Sequence, residues 1–255
     1  MGRMHMVARK HRGAAVVPVA FAAFAAALAT APRARACGVS TADGLSACSL
    51  AEHEEATRHR WRVGASGSYT STTIDFGVFR SPETRASVIA SLAYQPTPRW
   101  TLQLAAGSTV GGHLVTPAGQ YNFSAGPTAA IGASWRAVSG TKPFVILTSN
   151  LSFSAAKTEL VVAGPSGSLY AALDLRLGAL VGTTIAGVLS PYAVGRVFGG
   201  PVYWAYQGED VNGTDAHHYQ LGAGLTVVAF GRVHVFAEGV PIGERSFAAG
   251  TAFAF

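Results

Sequence analysis

Five residues close together in the chain have the types that hydrolytic chemistry uses: Glu209, Asp210, Asp215, His217 and His218. A histidine beside a carboxylate is raw material for a general base, because the carboxylate orients the imidazole and the ring changes charge near neutral pH. The same five could ligate a divalent cation. Against the metal reading, adjacent residues at the start of a strand point to opposite faces, so His217 and His218 do not share a side. Acidic residues are also ordinary in a water-facing loop. A serine nucleophile would need His218 to meet Ser124 or Ser246, and no spacing selects either pair. Just upstream, Tyr203, Trp204 and Tyr206 form an aromatic run in the same 200–216 stretch. Such a run suits a ligand or partner surface, and suits an anchor in a membrane interface better.

A second set of charges sits inside regularly alternating segments: Arg62, Arg85, Arg136, Asp174, Arg176 and Glu238, with Arg196, Arg232 and His234 as further members. Asp174 and Arg176 are two apart and therefore on one face of a strand, where they can pair with residues of neighbouring strands. The clearest alternation is 168–181, where Leu169, Ala171, Leu173, Leu175, Leu177, Ala179 and Val181 make an apolar row against Tyr170, Asp174, Arg176 and Gly178. The stretches 61–69, 100–107 and 219–229 repeat it. A period of two over this length means half-buried strand and excludes helix. Counting gives ten strands, at 61–70, 84–94, 99–110, 122–136, 143–154, 168–181, 191–199, 217–229, 232–239 and 246–255.

These strands commonly exceed about nine residues, the length of a tilted membrane-spanning strand, where soluble strands average about 5–6. Connections alternate between short turns (95–99, 138–143, 184–191, 230–232) and longer polar loops (71–83, 111–120, 155–167, 200–216, 239–245). Outer-membrane barrels have that asymmetry, and ten is the even number that places both chain ends on one side. Trp61, Tyr69, Tyr94, Trp100, Trp135, Tyr192, Tyr219 and Phe255 fall near strand ends, as interfacial girdles do. The fold class is therefore all-β: a transmembrane antiparallel up-and-down barrel of about ten strands over 61–255. A soluble sandwich also alternates, but does not account for the strand length and the low charge.

Composition agrees. Hydrophobic residues make up 49% of the 255 and charged ones only 13%, which excludes a disordered chain. The net charge of +6 comes from Arg3, Arg9, Lys10, Arg12, Arg33 and Arg35 in the first 36 residues, since the remainder holds 13 basic and 13 acidic side chains. That balance removes the case for nucleic acid as a partner.

Residues 1–36 read as a signal peptide: a basic start, an uncharged Ala-, Val- and Phe-rich run over 13–31, and Ala34-Arg35-Ala36 as the cleavage site. Residues 37–60 read as a periplasmic leader. Cys37 and Cys48, the only cysteines, are expected to form a disulfide in an oxidising compartment. Ser49 and Glu52 make a capping box that opens a short helix carrying the Glu54–Arg58 and Glu55–His59 pairs.

The last segment sets Phe247, Ala249, Thr251, Phe253 and Phe255 against Ser246, Ala248, Gly250, Ala252 and Ala254. An alternating final strand closing on Phe resembles the terminal signature of bacterial outer-membrane β-barrel proteins. The resemblance implies an outer-membrane location, lipid as surroundings, and recognition of Phe253 and Phe255 by the assembly machinery. A ten-stranded barrel also resembles the omptin-type outer-membrane proteases, although that family's motifs do not fall on the residues of the 200–216 loop. The expected activity is non-enzymatic, either envelope structure or passage of a small solute, with no cofactor and no resident metal. The alternative is a surface hydrolase, adhesin or ligand-binding barrel acting through the 200–216 loop.

Overall fold

The structure, a computed structural model, describes residues 60–138, 143–161 and 167–255, with the backbone of 39–40 and 46–47. The signal peptide, the Cys37–Cys48 pairing and the leader helix lie outside the described residues. Strands β1 (Val39–Ser40) and β2 (Ser46–Ala47) form a small antiparallel ladder. The other thirteen belong to one sheet. They are β3 (Trp61–Asp75), β4 (Arg80–Thr97), β5 (Trp100–Thr116), β6 (Gly119–Phe123), β7 (Gly126–Val138), β8 (Phe144–Leu160) and β9 (Ser168–Gly182). β10 (Leu189–Gly199), β11 (Val202–Tyr206), β12 (Glu209–Asp215), β13 (Tyr219–Ala229), β14 (Val233–Gly243) and β15 (Arg245–Ala254) follow.

The sheet closes on itself. Every strand pairs antiparallel with its neighbours in the order β3, β4, β5, β7, β8, β9, β10, β13, β14, β15, and β15 returns to β3. Trp61 and Phe255 complete the seam by exchanging backbone hydrogen bonds of 3.3 and 3.0 Å. Three staves are interrupted: β6 runs on into β7, β10 into β11 and β12 into β13. The thirteen segments thus make a ring of ten staves, as the alternation in the sequence requires. Closure matters in lipid because it leaves no unpaired strand edge.

The end carrying Arg60 and Phe255 is called the lower end here. Just above it the outward face is apolar: Val63, Leu92, Leu102, Leu104, Ile131, Leu147, Leu175, Leu177, Leu225 and Phe253 are all exposed. A water-soluble protein does not display such a continuous surface, whereas hydrocarbon covers it without cost. Trp61, Trp100 and Phe255 rim the band below, and Tyr69, Tyr219 and Phe247 rim it above, all about half exposed. Phe247 lies beside Tyr69 in the β15–β3 register. From Trp61 to Tyr69 is about 26 Å of strand, close to the apolar height of a barrel wall once tilt is allowed for.

Above this rim the wall continues, and here the expected long loops are corrected. β3 runs to Asp75 and β4 begins at Arg80, so most of 71–83 is paired strand. The 200–216 stretch is likewise a hairpin, β11–β12, turning on Gln207 and Gly208 with φ of 52° and 88°. Two left-handed residues between paired Tyr206 and Glu209 give the turn whose twist matches the strands. Hydroxyl and amide residues carry no hydropathy alternation, so paired strand beyond the lipid looks like loop in the sequence.

Candidate functional site

The lumen is built in three tiers. Lowest is an apolar cluster of Phe144, Ile146, Leu180, Tyr192 and Val194, all buried. Tyr192 thus faces inward, which corrects its assignment to the girdle: Pro191 and Ala193 take the outward positions. Its ring lies across Gly224, where a Cβ would come within 2.2 Å of it.

The middle tier is a chain of buried polar contacts. Arg196 donates to both oxygens of Glu238 at 2.8 and 2.9 Å, and the Tyr192 hydroxyl donates to Glu238 at 3.2 Å. Arg196 also donates to Gln220 at 3.3 Å, and Gln220 donates to Glu244 at 2.9 Å. Arg176 reaches Glu244 at 3.2 Å and binds Asp174 through Nε, with its guanidinium 4.7 Å from the Phe198 ring centre. Side chains from the neighbouring staves β9, β10, β13 and β14 and from the β14–β15 turn are so tied along one side of the lumen. Level with the apolar cluster, on the side of β3, β4 and β7, Arg62 donates to Gln95 at 2.9 Å and Arg136, in register with Ile146, donates to the Val138 carbonyl at 3.3 Å.

Above the charges lies a chamber of about 100 Å³. Its wall is rich in hydroxyls, among them Thr70, Thr72, Ser87, Thr128, Ser152 and Ser154, and Arg85, Asp174, Arg176, Asp215 and Glu244 also face it. Arg85 is matched by Glu83 at 3.0 Å and donates to Ser154 at 2.6 Å, while Tyr170 donates to Glu83 at 2.5 Å. Asp215 accepts a hydrogen bond from Thr72 at 3.1 Å. It sits opposite Ile74, five residues beyond the rim at Tyr69 and so clear of the apolar band. Burial, then the neighbouring Glu244 charge, pushes its carboxyl up to about 7, with Arg176 pulling the other way.

The third tier roofs the chamber. Phe76, Tyr121, Phe123, Tyr170 and Trp204 are buried together with Ile74 and Leu114. Trp204 donates to Thr158 at 2.9 Å and meets Tyr121 edge-on at 5.0 Å. The aromatic run 203–206 is therefore split by its strand: Trp204 points in, 1% exposed, and Tyr203 points out, 52% exposed. It does not form one exposed surface, because successive side chains of β11 alternate.

The charged residues expected in the lumen sort as follows. Arg62, Arg136, Arg196, His234 and Glu238 are buried, and Arg85, Asp174 and Arg176 face the chamber. Arg232 differs: it is exposed in the turn between β13 and β14. The outer five do not converge. Glu209 and Asp210 are exposed at the hairpin tip, about 17 Å of strand from inward-facing Asp215. His217 and His218 are exposed beyond it. Among the described residues no three His, Cys, Asp or Glu side chains come together as a metal site. Sequence reasoning missed Glu83, Gln220 and Glu244. Glu83 and Glu244 stand where loops were expected, while Gln220 carries no charge, although its alternation partner Leu221 points outward.

No family model and no curated protein sequence matches the chain. Among solved structures it is similar to the translocator domain of the autotransporter NalP from Neisseria meningitidis, with a TM-score of 0.47 and 12% identity over 77% of this chain and 88% of that one. It is also similar to the outer membrane protease OmpT from Escherichia coli, with a TM-score of 0.46 and 8% identity over 77% of this chain and 97% of that one. The COG4313 outer membrane channel from Pseudomonas putida F1 gives 0.43 and 11% identity over 77% and 96%.

Proposed function

We propose that the chain is an outer-membrane barrel whose task is structural and non-enzymatic, with no standing aqueous channel. The middle tier is the observation that carries this reading. The contacts among Arg196, Glu238, Gln220, Glu244 and Arg176 fill one side of the lumen along four neighbouring staves, and Glu238 and Gln220 are each 1% exposed. Ten strands also lie close to the eight-stranded barrels whose interiors side chains fill, far from the 16–18 that leave a channel. The scattered outer acids and histidines give no convergent acid–base pair, so the surface-hydrolase alternative draws no support from their placement. Lipid surrounds the apolar band, and the Phe253 and Phe255 strand serves the assembly machinery before insertion.

Planar-bilayer recording of the refolded full chain tests this directly. The expected trace is flat, without discrete steps. A steady stepwise conductance in the unmodified protein would instead favour the narrow solute pore.

A further inference from the structure

The chamber beneath the aromatic roof is a site in its own right. Its volume of about 100 Å³ suits a molecule of a few heavy atoms. The wall offers mainly oxygen acceptors, and its two guanidiniums are already engaged: Arg85 by Glu83, and Arg176 by Asp174 and Glu244. Asp215, by contrast, meets a hydroxyl, that of Thr72 at 3.1 Å, and Oδ1 of Asp174 is buried without a hydrogen-bond partner.

A second observation is the charge of the wall. Asp174, Asp215 and Glu244 face the chamber against Arg85 and Arg176, and Arg85 is already matched by Glu83. A buried carboxylate oxygen without a partner, such as Asp174 Oδ1, is costly, and a donor group on a guest removes that cost.

We propose that the chamber binds a small organic ammonium ion, its charge against the Asp215 carboxylate and its remaining hydrogen-bonding groups on Thr72 and the other hydroxyls of the wall. An ammonium group donates three hydrogen bonds and is satisfied by one carboxylate and two neutral oxygens, which the wall provides. A bare divalent cation needs several converging ligands, and the described residues bring no such set together. A neutral polyol would leave the Asp215 charge unanswered. The β11–β12 hairpin shapes the site: β12 leaves β13 at 216–218, passes above the short β14–β15 hairpin and pairs with β3 through Thr214 and Asp75. Asp215 and Glu244 thus reach the chamber on the side of that crossing. Binding here is independent of conduction, because a guest held in a chamber needs no open lumen.

Isothermal titration of the refolded full chain with ethanolammonium, at about pH 8 so that Asp215 is ionised, tests the site, with glycerol and Ca²⁺ as controls. Saturable binding by the ammonium alone is expected, weakened about tenfold or more in Asp215→Asn and unchanged in His217→Ala. Thr72→Val, also expected to weaken binding, supplies the reading if Asp215→Asn fails to refold. Absence of saturable heat, an equal response to glycerol or Ca²⁺, or full affinity in the folded Asp215→Asn or Thr72→Val protein overturns the proposal.

Discussion

The wall has two regions with opposite polarity. In the band, Leu102, Leu104, Leu175 and Leu177 point out, while Gln103, Asn150, Asp174 and Arg176 point in. Above the rim the arrangement inverts: Gln120, Asn122, Lys157 and Glu159 point out, and Leu114, Tyr121, Phe123 and Trp204 point in. The same staves run through both, so the backbone does not set the difference. The surrounding medium does: hydrocarbon drives polar groups inward, and water drives aromatic groups inward. Above its apolar lower cluster the band thus encloses a polar interior, and the dome encloses an ordinary hydrophobic core. Their stabilities should respond to different substitutions.

The largest expected effect lies in the band. Arg196→Ala strands the Glu238 carboxylate, both side chains being almost fully buried. A loss of about 3–5 kcal/mol is expected in denaturant unfolding in micelles. Replacing both with apolar residues of matching volume should restore most of it, and failure to do so would mean the pair does more than fill the lumen. In the dome, Trp204→Ala removes a buried indole and its bond to Thr158, with an expected loss of about 3–5 kcal/mol confined to the outer hairpins. Proteolysis at 207–208 should rise while the band stays protected by hydrogen exchange. Gly224→Ala drives a methyl into the Tyr192 ring, for an expected loss of about 1–3 kcal/mol.

Smaller still is the pH effect of Asp215. Its folded value near 7 lies above the ordinary 3.8, so its stabilising contribution is complete below about pH 4 and is lost as pH rises through about 7. Unfolding midpoints compared across that window should show the decline, and Asp215→Asn should flatten it. The smallest effect belongs to the exposed Asp75–Arg80 pair at the β3–β4 turn, 2.9 Å apart. Arg80→Ala should leave the unfolding midpoint unchanged. Asp75 is held below its ordinary range first by the Gly77 N–H and then by Arg80.

The band was legible in the sequence because lipid enforces strict alternation. Leu169 to Val181 reads as strand at sight, and the ten periodic segments are the ten staves. Asp174 and Arg176 could be placed on one face by counting. The dome was not legible, for two reasons. Thr70, Thr72 and Thr73 carry no contrast in hydropathy, so the alternation that marks β3 ends at 70. At Tyr121, Phe123 and Trp204 the sense of the alternation flips, and a reader who equates apolar with outward places them on the wrong side. Partners on neighbouring staves were hidden for another reason: Arg196 lies 42 residues from Glu238, and Arg176 lies 68 from Glu244. Only the register of the closed ring brings them together.

Quenching of single-tryptophan proteins by brominated lipid tests the inversion most directly. One protein keeps Trp100 and the other keeps Trp204, both in vesicles. Strong quenching of Trp100 at the lower rim with Trp204 unaffected is the result this structure requires. Equal quenching of the two, or of neither, would contradict a wall that is greasy outside in the band and aromatic inside in the dome.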